Sequence, residues 1–236
     1  MAKIYIGIAA GGSGTRMGSA LPKQFIEVCG IPVIIRTIRK MCEYKCREKI
    51  FVAVPENYIS YTEGLIKKFL PGESDIVVLS GGSDRMSTLL NMISEIRKTD
   101  SSPDSVLLTH DGVRPFFTRE MVELCAEKAA QHGASGVYVP ATDTIAVSVD
   151  GEAIDSIPDR STLFNTQTPQ AFRIGWFEED FANLDERSRQ TLTDAIGLFL
   201  KSGRRVCMVE GSPDNIKLTT PIDLEVARAL IEKKGL

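Results

Sequence analysis

Short apolar runs alternate along the first half of the chain with longer stretches in which apolar residues recur every three or four positions. The apolar runs are rich in residues that favour strands and predict buried β-structure. They cover residues 3–10, 49–55, 75–82 and 105–112. The periodic stretches predict helices over 32–44, 84–98 and 118–133. Thr118 is a favourable N-cap and Gly133 a favourable C-cap for the third of these helices.

The order of these elements predicts an α/β fold, with a mostly parallel sheet and helices on both of its faces. Ligands of such sheets bind beyond the carboxyl ends of the strands. Polar or glycine-rich segments follow the first, third and fourth predicted strands, at residues 10–23, 81–85 and 109–115. The sequence therefore predicts one site at that edge of the sheet.

The pattern changes between residues 140 and 172. Period-two stretches flank Asp150-Gly151, which is a hairpin signal and predicts a protruding β-arm. Beyond it we expect a helix over 191–203, a strand over 205–212 and a last helix over 221–234. Pro221 can occupy the first turn of that helix. Since no repeat or linker interrupts the chain, we expect a single domain over 1–236 with the arm as an excursion.

Composition narrows the kinds of partner. The chain has 236 residues and a formal net charge of −3, so we expect neither a nucleic-acid nor a membrane partner, and any anion site must be local. The apolar opening is too short for a secretory signal, and no run approaches the ~20 residues of a membrane span. Five cysteines without a CxxC pattern and only two histidines indicate reduced thiols, a cytoplasmic location and no zinc site.

The segment GIAAGGSGTRMGSALPKQF, residues 7–25, places a glycine-rich loop after the first strand. Its spacing matches neither the P-loop nor the dinucleotide-binding fingerprint. Successive glycines nevertheless let backbone N–H groups converge on an anion. Arg16 and Lys23 could bring two cations to the same phosphate chain. A turn with both side chains solvated is the alternative that this loop alone leaves open.

Further motifs extend the pattern along the whole chain. They are GGSDRMST (81–88), HDGVRPF (110–116), DTI (143–145), DR (159–160), QTPQAF (167–172), LTDA (192–195) and DNIKLTTPIDL (214–224). With AGGSGTRMG and PKQF, they resemble the cytidylyltransferases of sugar-alcohol phosphates, within the nucleotide-diphospho-sugar transferase superfamily. Two families share these motifs, the 2-C-methyl-D-erythritol 4-phosphate and the ribitol-5-phosphate cytidylyltransferases. The resemblance implies the Rossmann-like fold of that superfamily.

The resemblance also implies transfer of CMP from CTP to a polyol phosphate, with Mg²⁺ as cofactor and pyrophosphate as the leaving group. The backbone expected to wrap the triphosphate belongs to Ala10, Gly11, Gly12, Ser13 and Gly14. The residues expected to read cytosine are Gly81, Gly82, Ser83 and Thr88. The catalytic cations, which would stabilise charge on the α-phosphate and the leaving group, are Arg16, Lys23 and Lys217.

The acceptor side follows from the same resemblance. The residues expected there are Asp111, Arg114, Thr144, Arg160 and Thr168, and Asp111 is also a candidate Mg²⁺ ligand. Thr144 and Arg160 fall in the predicted arm, which in these families reaches the site of a second subunit, so we expect a homodimer. We assign His110 to packing, Asp194 and Asp223 to helix caps, and Arg85 to structure.

The identity of the acceptor divides the two families. Four departures from the methylerythritol pattern favour ribitol 5-phosphate: AGGSGTRM in the first loop, HDGVRPF, LTDA, and Ala146 where a lysine is usual. Methylerythritol 4-phosphate is the alternative. A non-catalytic nucleotide-binding regulator would be expected to lack one of the three cations. A hexose-1-phosphate nucleotidyltransferase would need a larger sugar-binding half.

Overall fold

Strands and helices alternate along the parts of the chain that the computed structural model describes, which are residues 2–12, 21–185, 189, 192 and 194–235. The strands are β1 (Ile4–Ala9), β2 (Glu27–Val28), β3 (Ile31–Pro32), β4 (Lys49–Val54), β5 (Ile76–Ser80), β6 (Val106–Asp111), β7 (Ala134–Pro140), β8 (Phe164–Arg173) and β9 (Cys207–Glu210). The helices are α1 (Val33–Met41), α2 (Ile59–Phe69), α3 (Arg85–Arg97), α4 (Arg119–His132), α5 (Ile174–Ala182), α6 (Ala195–Lys201) and α7 (Pro221–Lys234). None of the helices in these ranges is long and apolar enough to cross a bilayer.

Seven strands form one sheet in the order β5-β4-β1-β6-β8-β7-β9. Six of them run in the same direction, and β8 is antiparallel to both of its neighbours, β6 and β7. Strands β2 and β3 form a small antiparallel pair apart from this sheet. The carboxyl ends of the six co-directional strands therefore meet at one edge, and the chain forms the α/β domain that the pattern predicts.

The two faces of the sheet are covered by different helices. Ile6 and Ile8 of β1 pack in a core with α1, α2 and α4, whereas Tyr5 points to the opposite face, which α3, α5 and α6 cover. A Cβ on Gly7 would lie 2.6 Å from Sδ of Met92, so this glycine lets α3 approach β1 closely. Burying each large apolar side chain contributes about 1.5–3 kcal/mol, which makes these layers the main source of stability.

The strands and helices predicted in the first half of the chain are all present, with ends within three residues of the predicted ones. Helix α4 shows why the boundaries were readable. The hydroxyl of Thr118 accepts a hydrogen bond from the backbone N–H of Met121, at 3.2 Å. Gly133 ends the helix with φ of 95°, a conformation that glycine adopts without strain. Both caps are as predicted.

The stretch predicted as an arm divides into two parts. Residues 141–163 leave the sheet, and a bridge between Val147 and Ser156 flanks the Asp150-Gly151 turn. The rest returns as β8, a ten-residue strand inside the main sheet, which corrects the prediction. Pro169 is the reason that the sequence did not predict this strand, because proline is disfavoured in central strands. The proline is tolerated here because the pairing between β7 and β8 is irregular at this point. Gly136 of β7 pairs with Gln170, and the next residue, Val137, pairs with Gln167.

The last predicted elements are present but shorter. Helix α6 covers Ala195–Lys201 within the predicted 191–203, part of which lies outside the described residues. Strand β9 covers only Cys207–Glu210 of the predicted 205–212. Helix α7 begins at Pro221, and Thr220 and Asp223 form a capping box at its start, so the predicted roles of Pro221 and Asp223 are both present.

Candidate active site

Two adjoining cavities lie at the edge where the co-directional strands end. The first has a volume of about 260 Å³ and is lined by residues 9–12, 23–24, 82–85 and 88, with Asp111, Val113 and Lys217. The second, of about 210 Å³, is lined by Arg85, Asp111, Arg114, Asp194, Lys217 and residues 166–168 and 170. Arg85, Asp111 and Lys217 line both cavities. They form the charged wall between the two.

The end of β1 forms the floor of the first cavity. The backbone N–H of Ala10 donates to the carbonyl of Ala53 at 2.8 Å, and Nε2 of Gln24 donates to the carbonyl of Ala10 at 2.7 Å. A Cβ added to Gly11 or Gly12 would meet no atom within 4 Å. The backbone is therefore fixed at Ala10 and unobstructed just after it, as close approach by a ligand requires.

The described residues include only some of those predicted for this loop. Ala10, Gly11, Gly12 and Lys23 line the first cavity. Ser13, Gly14 and Arg16 lie outside the described residues, so their predicted roles stay predictions. Gln24, next to Lys23 in the chain, is nearly fully buried.

The turn between β5 and α3 forms the opposite side of the first cavity. The N–H of Gly82 donates to Oγ1 of Thr88 at 3.0 Å, and that hydroxyl donates to the carbonyl of Asp84 at 2.8 Å. A Cβ on Gly82 would lie 2.1 Å from Oγ of Ser87, so a larger residue would displace the turn. Gly82, Ser83 and Thr88 line the cavity, while the N–H of Gly81 donates a hydrogen bond to the carbonyl of Val54 at 2.8 Å behind them. Their expected role in reading cytosine stays a prediction.

Asp84 connects this turn to the start of α3. Its carboxylate accepts from the N–H of Ser87 at 2.8 Å, and Oγ of Ser87 accepts from the N–H of Asp84 at 3.0 Å. The hydrogen bond from the Ser87 backbone lowers the pKa of Asp84. The N-terminus of a 13-residue helix thus faces the cavity, and its dipole favours an anion there.

Three cations surround Asp111 at the end of β6. Arg85 contacts Oδ1 at 2.6 Å, and Arg114 and Lys217 contact Oδ2 at 3.0 Å and 3.1 Å. Burial would raise the pKa of this carboxyl, but the positive charges of Arg85, Lys217 and Arg114 outweigh burial and hold the pKa well below its usual range. Asp111 is therefore a permanent anion that orients the cations of the charged wall.

These contacts do not fit Asp111 as a Mg²⁺ ligand. Both of its oxygens are engaged by cations, and an added metal ion would have to displace Arg85 or Lys217. The described residues contain no group of three or more His, Cys, Asp or Glu side chains that could hold a metal ion. The metal assignment of Asp111 is thus not supported by its surroundings.

His110 lies behind the charged wall. Its Nε2 donates to the carbonyl of Arg114 at 2.9 Å, and its ring packs on that of Phe117 with centroids 4.5 Å apart. Burial lowers the pKa of His110 to about 4. The imidazole is therefore neutral near pH 7 and supports the loop that carries Asp111 and Arg114, in line with its assignment to packing.

The second cavity is built around β8. Oγ1 of Thr168 accepts from the N–H of Asp111 at 3.1 Å, which joins β8 to the end of β6. Nη1 of Arg114 donates to the main-chain carbonyl of Asn215 at 2.9 Å. Asp194 caps α6 by accepting from the N–H of Gly197 at 2.8 Å, as predicted, and also faces this cavity. Asp111, Arg114 and Thr168, three of the five predicted acceptor residues, thus meet here.

The other two predicted acceptor residues lie on the arm. Thr144 and Arg160 are exposed and line neither cavity, and Arg160 donates to the carbonyl of Thr142 at 3.0 Å. The arm also exposes apolar side chains, among them Val149, which is 90% exposed, and Ile154. Within one chain these two predicted residues are not brought to the cavities.

Three residues of the site were missed or misassigned from the sequence. Arg85 was assigned to structure alone, yet it lines both cavities beside Asp111. Gln24 holds the carbonyl of Ala10, and its position next to Lys23 was the available signal. Asn215 is completely buried behind the second cavity, and its signal was a polar residue two positions before Lys217.

Comparison with known proteins agrees with this geometry. A 4-diphosphocytidyl-2C-methyl-D-erythritol synthase from Anaerococcus prevotii superposes with a TM-score of 0.80 at 27% identity, covering 98% of this chain and 96% of that one. The 2-C-methyl-D-erythritol 4-phosphate cytidylyltransferase of Thermus thermophilus superposes with a TM-score of 0.74 at 27% identity, covering 98% of this chain and 99% of that one. The same enzyme from Francisella tularensis superposes with a TM-score of 0.78 at 25% identity, covering 97% of this chain and 99% of that one.

The sequence model of a single family matches residues 4–233, which is nearly the whole chain. Its members are nucleotidyltransferases that act on a sugar-alcohol phosphate, so the predicted enzyme class is confirmed. The chain belongs to the 2-C-methyl-D-erythritol 4-phosphate cytidylyltransferase (IspD) family.

Proposed function

We propose that this chain transfers CMP from CTP to 2-C-methyl-D-erythritol 4-phosphate and releases pyrophosphate. The observation that carries the proposal is the charged wall shared by two cavities, because Arg85, Asp111 and Lys217 border both. Two phosphorylated substrates can occupy adjoining spaces only if fixed cations lie between them to offset their repulsion. Family membership supports the same reaction.

CTP would occupy the first cavity. Its triphosphate would lie along the backbone of residues 10–12, near Lys23, and its base would face Gly82, Ser83 and Thr88. The unobstructed backbone after Ala10 suits an anion. This arrangement would place the α-phosphate next to the charged wall, within reach of Lys217.

The sugar-alcohol phosphate would occupy the second cavity, beside Arg114 and Thr168. An oxygen of its phosphate attacks the α-phosphorus of CTP, and the bond from that phosphorus to the bridging oxygen of the β-phosphate breaks. A phosphate monoester is already a nucleophile near neutral pH, so the reaction needs no general base. Positioning and stabilisation of the charge on the phosphoryl group and the leaving group supply most of the rate.

We further propose that activity depends on Mg²⁺ carried by CTP. The described residues do not form a site for the ion by themselves. Mg²⁺ characteristically keeps several waters and binds substrate phosphates together with only one or two carboxylates, so most of its ligands need not come from the protein. When bound, the ion would neutralise part of the triphosphate charge.

We propose a homodimer in which the arm completes the partner's acceptor site. Thr144 and Arg160 line neither cavity of their own chain, and the arm exposes Val149 and Ile154 to solvent. A second subunit would cover these apolar side chains and bring Arg160 to an acceptor phosphate.

The five free thiols fit a reducing, cytoplasmic environment.

The proposed acceptor differs from the one that the motifs favoured. Four departures in the motifs favoured ribitol 5-phosphate, but a family model for methylerythritol phosphate enzymes matches residues 4–233. None of the four departures changes a charged residue of the described site, since Asp111, Arg114 and Lys217 are all present. Ribitol 5-phosphate is the second candidate, and only the motif departures favour it.

Pyrophosphate release, measured with CTP and Mg²⁺ and with one polyol phosphate at a time, tests the proposal. We expect turnover with methylerythritol 4-phosphate and at least tenfold lower kcat/KM with ribitol 5-phosphate. Reactions without acceptor, with UTP in place of CTP, or with EDTA provide the controls. Turnover with ribitol 5-phosphate alone would overturn the acceptor assignment, and no release with either acceptor would overturn the function.

A further inference from the structure

We propose that Asn215 is a positioning residue that keeps the side chains of Lys217 and Arg114 in contact with the carboxylate of Asp111. The inference rests on the proposed function, because it gives Asn215 a role in the reaction through Lys217. Asn215 does not line either cavity, and its exposed fraction is 0%. Any effect of this side chain on the reaction must therefore pass through its neighbours.

The side chain of Asn215 joins two distant segments. Its Nδ2 donates to the carbonyl of Thr168 at 2.9 Å and to Oε1 of Gln167 at 3.1 Å. The main-chain carbonyl oxygen of Asn215 accepts from Nη1 of Arg114 at 2.9 Å. One residue thus contacts β8, the loop after β6 and, through the main chain, the segment that carries Lys217.

The orientation of the Asn215 amide is determined by its partners. Nε2 of Gln167 donates to the carbonyl of Ser212 at 2.9 Å, so the oxygen of Gln167 faces Asn215. The carbonyl of Thr168 is also an acceptor. Two acceptors on one side require the NH₂ group of Asn215 there, since the amide oxygen could pair with neither.

These contacts close a ring of hydrogen bonds that starts and ends at Asp111. The N–H of Asp111 donates to the hydroxyl of Thr168, and Asp111 accepts from Nε of Arg114 through its Oδ2. Asn215 connects the other ends of Thr168 and Arg114. Lys217 lies two residues further on and contacts the same Oδ2 at 3.1 Å. The ring therefore fixes the carboxylate of Asp111 and the guanidinium of Arg114 relative to the segment that carries Lys217.

Lys217 is also anchored on its other side. The N–H of Leu218 donates to the carbonyl of Val113 at 2.9 Å, and Leu218 is buried in a small core with α7. Loss of the Asn215 amide would leave this anchor in place. The segment would then stay attached but lose its alignment at Lys217. Misplacing a catalytic group by about 1 Å can cost on the order of a hundredfold in rate.

A double-mutant cycle with Asn215→Leu and Lys217→Ala tests the proposal. We expect Asn215→Leu to lower kcat by about 10- to 100-fold, with less than a threefold change in KM for CTP. In the Lys217→Ala background, the same substitution should lower kcat by no more than about threefold. A residue that serves stability alone would give equal fold-losses in both backgrounds.

Two further variants complete the design. Asn215→Asp preserves the volume and removes the NH₂ donor, so we expect the same direction of change if Asn215→Leu fails to fold. Tyr5→Phe is the matched control, since it removes a buried hydrogen bond to Asp100, at 3.1 Å, near the amino end of β1. It should leave kcat within about twofold in both backgrounds.

The outcomes separate this inference from the proposed function. Equal losses in both backgrounds, normal activity of both Asn215 variants, or failure of both to fold would overturn the positioning role. A near-normal rate in Lys217→Ala would instead overturn the role that the proposed function gives to Lys217. Non-additive losses in the cycle, with Tyr5→Phe unaffected, would support the inference.

Discussion

The two cavities share a wall but are assembled in opposite ways. The first is formed mainly by short segments that follow β1 and β5, together with the end of β6, and Lys217 completes its wall. The second depends on β8, on Asp194 before α6 and on the segment around Lys217, which are far apart in the chain. Local sequence determines the first cavity, whereas long-range pairing determines the second.

This difference has a counterpart in chemistry. A triphosphate is bound mainly by backbone N–H groups and point charges, which a short loop can supply. Apart from the charged wall, Arg114 and Asp194, the second cavity is lined by neutral polar side chains from a strand that enters the sheet antiparallel, namely Thr166, Gln167, Thr168 and Gln170. Substitutions should therefore have separable effects on the two substrates, except in the wall between them.

Lys217→Ala should have the largest effect, because this side chain borders both cavities. We expect kcat to fall by about 10²- to 10³-fold, the loss typical of removing a group that stabilises transition-state charge. Steady-state pyrophosphate release measures it, with Lys67→Ala on α2 as a surface control. A near-normal rate would show that the wall does not stabilise the reaction.

His110→Gln tests the support beneath both cavities. The pKa of His110 is lowered to about 4 by burial, against about 6.5 in an unfolded chain. The unfolded state therefore binds more protons between these pH values, and the free energy of unfolding should fall by ~3 kcal/mol as the pH is lowered from 6.5 to 4. Urea unfolding across this range should show a flatter dependence for His110→Gln. The exposed His132 provides the control, and identical slopes for wild type and His110→Gln would contradict the prediction.

Arg160→Ala should affect the acceptor alone. If the arm reaches the partner's second cavity, losing a charged hydrogen bond of about 1.5–3 kcal/mol raises KM for the acceptor by roughly tenfold or more. KM for CTP should stay the same. Arg119→Ala on α4 is a matched exposed arginine. An unchanged acceptor KM would argue against the arm's role, whatever the oligomeric state measured by ultracentrifugation.

Thr88→Val should have the smallest effect and should act on CTP alone. The substitution removes the acceptor of the Gly82 N–H and loosens the turn that we propose to face the base. A neutral hydrogen bond of about 0.5–1.5 kcal/mol predicts a two- to tenfold rise in KM for CTP. Thr99→Val, at the far end of α3, is the control. A larger change in acceptor KM than in CTP KM would show that the cavities are not separable.

Part of the first cavity could be predicted from the sequence. Gly82, Thr88 and Lys23 line it in segments that follow predicted strands, whereas Gln24 and Arg85, which also line it, were not predicted as ligand-binding residues. The capping box of Asp84 and Ser87 is local in the same way. Most strands and helices of the first half were predicted from local patterns as well, but α2, β2 and β3 were not predicted.

The second cavity was predictable only through family resemblance. Nothing near Thr168 in the sequence shows that its hydroxyl accepts from Asp111, 57 positions earlier. Pro169 and the surrounding polar residues argue against a central strand, although β8 is one. The contacts of Asn215 with Gln167 and Thr168 depend on this same strand, and that of Arg85 with Asp111 joins α3 to the end of β6. No local pattern reports either of them.

The crowding of cations around Asp111 has a consequence for how the enzyme meets its substrates in solution. The chain carries a formal net charge of −3, so from afar it repels nucleotides and sugar phosphates alike. Attraction by Arg85, Arg114 and Lys217 extends only over about 8 Å at physiological ionic strength. Capture therefore begins at the mouth of the cavities, and added salt should weaken it without disturbing the buried hydrogen bonds beneath.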